Sequence, residues 1–199
     1  MNVSCLVKYH NKTINFIQHG DWLAPLLLRA YLAPILLQAG WNKLNHFDQT
    51  VAWFANSEWG LGLPMPTLMA ALAGGAEFFG GVALILGFAT RLFTIPLMVT
   101  MLVAAWTVHW PNGWLAISDA SSWLANERVI AASEQLIKGR ELLETYGHYD
   151  WLTENGRFVI LNNGIEFAAT YFIMLLVLMF TGSGRYISID YWLKKRLHC

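Results

Sequence analysis

Two charged side chains lie within long apolar stretches of this sequence. Glu77 is the single charged residue of 67–88, and Arg29 is the single charged residue of 22–39. A charge at bilayer depth is costly unless it is paired, and such residues often mark substrate, ion or proton paths. If the two stretches are adjacent antiparallel helices, their rise per residue separates the two groups by about 6 Å in depth. The sequence therefore predicts a buried Arg29–Glu77 ion pair that positions a substrate; a purely structural ion pair is the alternative.

The surroundings of Glu77 favour a position between helices. Ala70, Gly74 and Gly81 share its face at helical spacing, and small residues allow helices to approach closely. Arg91 is the competing partner, but it lies at the inner boundary of its helix, where a long side chain can reach water. Arg29 is therefore the predicted partner of Glu77.

A second polar group is predicted at the outer ends of the helices. Lys43 follows the first apolar stretch, His109 ends the third, and Asn163 and Glu166 begin the fourth. Together they would form an outer polar vestibule above the ion pair. The alternatives are that His109 is an interfacial hydrogen-bonding residue and that Glu166 only complements a helix dipole.

The chain shows no metal or haem motif, because none of its six histidines has the spacing of a two-ligand site. It also lacks a phosphate loop, a dinucleotide fingerprint and a nucleophile–base arrangement. A quinone remains open as a cofactor, since it needs an apolar slot with one or two hydrogen-bond donors, such as Arg29 or His109.

Composition predicts the elements that must position these residues. Only 13% of the 199 residues are charged and 56% are hydrophobic, whereas soluble domains carry about 25% charged residues. The apolar runs predict an all-α integral membrane four-helix bundle in the lipid bilayer, as one domain over 1–199. The expected spans are about 22–39, 67–88, 92–110 and 165–182. Zero net charge with dispersed basic residues argues against a nucleic-acid partner.

The distribution of basic residues predicts the orientation. One side of the predicted bundle holds seven lysines and arginines: Lys8, Lys12, Arg91, Arg185, Lys194, Lys195 and Arg196. Positive charge accumulates on the cytoplasmic side, so both termini are expected there in a multi-pass protein without a cleavable signal peptide. Cys5 and Cys199 lie at the two ends of the chain, outside any paired or metal-type spacing, and a structural disulfide between them is not expected.

The outer loop 111–163 is predicted to contain an extra amphipathic helical segment over 121–146. Glu134 and Lys138 are expected to pair on its polar side, and Gly139 is expected to break it into two pieces. Its apolar residues at helical spacing are Val129, Ala132, Leu136, Leu143 and Tyr146. The segment could rest on the outer membrane surface or form a solvated cap over the bundle.

An ordered set of short motifs resembles the DoxX family of small four-helix membrane proteins. The motifs are Arg29, Ala39-Gly40-x-x-Lys43-Leu44, Leu63-Pro-x-Pro66, Glu77, Gly80-Gly81-Val-Ala-Leu-Ile-Leu-Gly87-x-x-Thr90-Arg91 and Gly182-Ser-Gly184-Arg-Tyr-x-Ser-x-Asp190. Two further pieces, Glu58-Trp-Gly-Leu-Gly-Leu-Pro64 and Val108-His-Trp-Pro-Asn-Gly-Trp114, are similar to the subgroup linked to maturation of copper-binding modified peptides.

The resemblance implies a protein of the bacterial inner membrane. Family members are similar to a subunit of thiosulfate:quinone oxidoreductase, and others join membrane complexes that handle thiol or oxidative stress. The insertion 111–163 distinguishes this chain from short family members and, with the absence of a cofactor motif, argues against a direct transfer of the thiosulfate activity.

The leading hypothesis is an accessory subunit of a redox or copper-peptide maturation system that handles a quinone or thiol substrate, with other membrane or periplasmic proteins as partners. The alternatives are a non-enzymatic transporter component for a small molecule or peptide, and a membrane anchor that recruits a partner through the outer loop. Whether the chain is itself an enzyme stays open.

Overall fold

A computed structural model describes residues 10, 12, 14, 15 and 18–197 of the chain. The expectations for Cys5, Lys8 and Cys199 lie outside these residues. The chain divides into two compact units, and the prediction of a single domain stays a prediction. We call Met1–Thr100 with Tyr171–Cys199 the hairpin unit, and Met101–Thr170 the insertion unit.

Eight α-helices account for most of the described part of the chain. They are α1 (Leu23–Asn45), α2 (Phe47–Ala55), α3 (Pro66–Leu86), α4 (Thr90–Ala104), α5 (Glu127–Tyr146), α6 (Tyr149–Thr153), α7 (Glu166–Thr181) and α8 (Ile189–Leu197). A π-helical turn, Ala105–His109, and a 3₁₀ turn, Trp110–Asn112, extend α4. The all-α prediction is confirmed.

The hairpin unit is built around the antiparallel pair of α1 and α3. Their interface contains the fully buried Leu32, Ala33 and Leu36 of α1 and Ala70 and Leu84 of α3. Helix α3 ends at Gly87, whose φ of 61° is the left-handed conformation that commonly terminates helices. The amide of Phe88 donates to the carbonyl of Ala83, and α4 then begins at Thr90. This tight turn joins α3 to α4.

Three helical segments of the described chain are long and apolar enough to cross a membrane. These are Leu23–Asn45, Pro66–Leu86 and Thr90–Asn112. The fourth predicted span corresponds to the apolar α7, which has 16 residues, and the four-helix bundle therefore stays a prediction. Helix α1 ends six residues beyond the predicted 39, so Lys43 lies within the helix and not after it.

The insertion unit contains the predicted helical segment, but two details differ. Helix α5 runs unbroken through Gly139, because one glycine lowers helix stability by only about 1 kcal/mol and the flanking residues favour a helix. Lys138 pairs with Glu141 at 2.8 Å and not with Glu134. The apolar side is partly confirmed, since Val129 and Ala132 are buried whereas Tyr146 is 85% exposed.

Candidate functional site

Glu77 forms a buried ion pair with Lys43. The ammonium of Lys43 on α1 donates to Oε2 of Glu77 on α3 at 2.6 Å. The Glu77 side chain is 6% exposed and the Lys43 side chain is 25% exposed. Among the described residues, Lys43 is the one hydrogen-bond partner of this carboxylate. The pair therefore joins the two main helices of the hairpin unit and reaches the protein surface only through its lysine.

Glycines set the register that brings Lys43 to Glu77. A Cβ at Gly40 would collide with the backbone of Phe78 and of Gly74, and a Cβ at Gly81 would lie 2.7 Å from Leu37. Such closeness between helix backbones is characteristic of membrane helices that pack through small residues. Gly40 is therefore level with the turn that carries Glu77, and Lys43 follows one helical turn later.

Arg29 has a different set of partners. Its Nε donates to the carbonyl of Leu84 at 2.7 Å and its Nη2 to that of Ile85 at 2.9 Å. Its Nη1 donates to the carbonyls of Ser183 at 2.7 Å and Ile187 at 2.9 Å. The first two carbonyls belong to the last turn of α3, where few backbone amides remain to donate, although Leu84 also accepts from the amide of Gly87 at 3.2 Å. Arg29 therefore caps α3 and ties it to the segment that follows α7.

The predicted Arg29–Glu77 ion pair is wrong. Arg29 lies eleven residues before Gly40, a displacement of about 16 Å along the helix, which exceeds the reach of an arginine. The prediction placed the inner ends of α1 and α3 at the same depth. In the structure, α1 starts well before the level at which α3 ends. The last turn of α3 therefore lies beside Arg29 and not beside Trp22.

Asp190 is a residue that the sequence analysis named only within a motif. Its Oδ1 accepts from the amide of Ala89 at 2.7 Å, and its Oδ2 accepts from the amide of Thr90 at 3.1 Å. Its own amide donates to the carbonyl of Gly87 at 3.0 Å. Asp190 thus caps the start of α4 from about 100 residues away. A capping residue so distant has no local signal in the sequence, and only the shared family motifs pointed to it.

The inner boundary residue Arg91 does not approach Glu77 in the described structure. Its Nη2 donates to the carbonyl of Phe180 near the end of α7 at 3.0 Å. This contact supports the expectation that Arg91 remains at the boundary of the helix. It also satisfies one of the carbonyls that α7 leaves without an intrahelical donor.

The other predicted vestibule residues lie in the insertion unit. The ring of His109 hydrogen-bonds through Nδ1 to the carbonyl of Asn163 at 2.8 Å. Oε2 of Glu166 accepts from the amide of Ala116 at 2.9 Å. Lys43 belongs to the hairpin unit, and a common vestibule of the four residues stays a prediction.

Asn162 holds the base of the insertion together. It is 2% exposed, and its amide nitrogen donates to the carbonyls of Asn112 at 2.8 Å and Leu115 at 2.6 Å. Its Oδ1 accepts from Nε of Arg128 at 3.2 Å. A buried asparagine with three partners holds the two ends of the loop together. In the sequence it is only a polar residue before a helix.

The contacts limit which residues could bind a quinone. Arg29 is 2% exposed and uses four of its five N–H donors on backbone carbonyls, so it does not fit. With Nδ1 of His109 donating to Asn163, the neutral ring presents an acceptor at its other nitrogen. Lys43 fits better, because its side chain is 25% exposed and an ammonium has three donors, of which Glu77 takes one. No group of three metal-ligating side chains occurs among residues 18–197 or the four described before them.

The helices and the buried charges define an α-helical multi-pass membrane protein. Residues 24–110 match the family model described as DoxX, the family that the sequence motifs resemble. No curated protein and no solved structure matches the chain significantly. The copper-peptide subgroup stays a prediction.

Proposed function

We propose that this chain is an accessory membrane subunit of a redox system and that its Lys43–Glu77 pair binds the polar end of a quinone or thiol substrate. The redox association comes from the DoxX match over 24–110. The observation that carries the site is that a buried charge pair lies within two apolar helices, where such groups are costly.

The contrast with Arg29 supports the choice of this pair. Arg29 has a complete structural role, because its four bonds satisfy backbone carbonyls at a helix end and in the adjoining segment. The ammonium of Lys43 donates to Glu77 and to no backbone carbonyl among the described residues. Close packing at Gly40, Gly74 and Gly81 already holds the two helices together, so packing alone does not need an ion pair. Retaining the charges therefore points to a ligand.

The two residues would have separate tasks at the substrate. A quinone supplies the redox chemistry when it is bound, and the protein supplies its position. Lys43 would donate a hydrogen bond to a quinone oxygen or a thiolate sulfur, using a donor that Glu77 does not occupy. Glu77 would hold the ammonium in place and balance its charge. The apolar faces of α1 and α3 would receive the hydrophobic part of the substrate.

Extraction of the purified full-length protein tests this proposal. Protein from native membranes is extracted with organic solvent, and quinones and low-molecular-mass thiols are quantified per chain. We expect one of the two compounds near one equivalent in the wild type and a strong loss in Lys43→Gln. Lys138→Gln, which removes an exposed lysine of α5, is the control and should retain it. Absence of both compounds from the wild type, or equal amounts in Lys43→Gln, would refute the proposal.

Two other functions predict different results. A transporter predicts that Glu77→Gln abolishes flux in proteoliposomes while the protein remains folded. An anchor predicts that deletion of 121–146 alone abolishes function in cells and that the Lys43 and Glu77 variants remain active.

The finer proposal of copper-peptide maturation rests on the Glu58–Pro64 and Val108–Trp114 motifs, and it predicts that the modified peptide accumulates in an immature form when the chain is deleted.

A further inference from the structure

A large groove lies at the inner end of the hairpin unit, apart from the Lys43–Glu77 pair. Its volume is about 1000 Å³. Trp22, Pro25, Leu92 and Tyr191 contribute apolar walls, and residues 181–185 also line the groove. The groove is therefore amphipathic, with room for a ligand that has both polar and apolar parts.

The charged residues of the groove carry an excess of positive charge. Four basic side chains line it, Arg91, Arg185, Lys194 and Lys195, and two acidic ones, Asp21 and Asp190. Both acids are already engaged. Asp190 accepts from the amides of Ala89 and Thr90, and Asp21 pairs with Arg185 at 3.2 Å. Four cations and two carboxylates leave the groove with an excess of two positive charges, which favours an anion.

The basic groups of the groove have contacts with the protein, and the ammonium of Lys195 lies 5.2 Å from the ring centroid of Trp192. Arg91 donates one of its five N–H groups to the carbonyl of Phe180, and Arg185 is oriented by Asp21. Fixed guanidinium groups lose less entropy when they bind phosphate oxygens, and their forked geometry suits such oxygens.

The groove lies at the level where the apolar helices end. Trp22 immediately precedes α1, Arg91 is the second residue of α4, and Arg185 follows α7 by four residues. This is the depth at which lipid headgroups contact membrane proteins, and basic pockets between helix ends on this level recognise anionic headgroups. The number of positive charges on one side is enough to set the orientation of a membrane protein. Orientation alone does not explain why these charges line one groove with apolar walls.

We propose that this groove binds an anionic phospholipid, with its phosphate between Arg91 and the two lysines of α8 and its glycerol and upper acyl region against Trp22 and Leu92. Charge complementarity and the amphipathic walls carry the assignment. The proposal does not depend on the redox function, because neither Lys43 nor Glu77 lines the groove.

Native mass spectrometry of the full-length protein in detergent tests the binding. Phosphatidylglycerol and phosphatidylcholine with identical acyl chains are added in turn, and the lipid-bound fractions are compared. We expect retention of phosphatidylglycerol in clear preference to phosphatidylcholine. Lys194→Gln/Lys195→Gln should weaken phosphatidylglycerol binding about tenfold or more, since each basic residue near an anionic surface contributes on the order of 1 kcal/mol. Both lysines are exposed on α8, so the protein should still fold.

A variant with the same loss of charge provides the control. Arg196→Gln/Lys138→Gln removes two exposed basic groups that do not line the groove, and its lipid binding should match that of the wild type. If both double variants weaken phosphatidylglycerol binding equally, the weakening comes from the loss of net charge and not from the groove, and the proposal is overturned. Binding of phosphatidylcholine as strong as that of phosphatidylglycerol would also overturn it. Inorganic phosphate is added in a third arm, and if it displaces the lipid at equal concentration, the site takes a soluble anion and the lipid assignment is wrong.

Discussion

Arg29 and Glu77 are both buried charges in apolar helices, and the protein accommodates them by different means. The guanidinium has five donors in a planar fork, so it can satisfy several carbonyls at a helix end without an acid. A carboxylate only accepts, so Glu77 needs a donor, and a lysine one turn from its level provides it. The hydrogen-bond donors or acceptors of each group thus determined its partner more than the sign of its charge did.

The Lys43–Glu77 pair should respond unequally to loss of either partner. Lys43→Met leaves a carboxylate on a side chain that is 6% exposed without a partner, whereas Glu77→Gln leaves an ammonium on a side chain that is 25% exposed. We expect Lys43→Met to lower the free energy of unfolding by about 3–5 kcal/mol and Glu77→Gln to lower it by less. Thermal unfolding in detergent measures both. The double variant should be more stable than Lys43→Met alone; additive losses would contradict the pairing.

Arg29 should resist conservative replacement. Lysine keeps the positive charge, but its compact ammonium cannot reach the carbonyls of α3 and of the segment after α7 together. We expect Arg29→Lys to cost more than about 3 kcal/mol, because buried carbonyls lose charge-assisted hydrogen bonds. Arg128→Lys, which removes one bond to Asn162, is a milder comparison. A wild-type unfolding temperature for Arg29→Lys would show that charge alone suffices.

At the scale of elements, the close approach of α1 and α3 sets the register of the charged residues. Gly40, Gly74 and Gly81 bring the two backbones together, and this contact fixes which turn of α1 faces Glu77. The two ends of α4 are held differently: its start is capped by Asp190, and its other end passes into a π-helical turn that carries His109. Such turns interrupt the regular helix and are frequent near functional sites.

Glycine substitutions should distinguish interface glycines from those that face open space. A Cβ at Gly40 meets the backbone of α3, so Gly40→Ala should separate the helices and cost about 1–3 kcal/mol. Gly75 and Gly139 have no neighbouring atom within 4 Å of an added Cβ. Replacing either with alanine should stabilise its helix by about 0.5–1 kcal/mol. Unfolding curves of the three variants provide the comparison, and equal effects would contradict the interface.

At the scale of the whole molecule, basic residues concentrate at one end of the hairpin unit. Arg91 is the second residue of α4, just after the turn from α3. Arg185 lies between α7 and α8, and the basic run is in the last turn of α8. Basic residues close to helix ends remain on the cytoplasmic side during insertion. The charge distribution therefore predicts a cytoplasmic inner end, and the predicted outer loop is expected on the opposite side.

Cysteine labelling tests this topology. In a variant with Cys5 and Cys199 replaced by serine, Arg196→Cys should react with a membrane-impermeant thiol reagent only in inside-out vesicles. Lys138→Cys should react only in right-side-out vesicles, since its side chain is exposed on α5. Labelling of both positions from the same side would contradict the predicted orientation.

The sequence by itself determined the membrane character and the three long apolar helices, because length and hydrophobicity act locally along the chain. Its motifs also indicated the match of residues 24–110 to the DoxX model. It also singled out Arg29, Lys43 and Glu77 as residues of interest. Only the tertiary structure decided that Glu77 pairs with Lys43 and that Arg29 and Asp190 cap helices. These contacts depend on helix register, which glycine packing sets to within one turn, whereas depth counted from approximate helix ends errs by several residues.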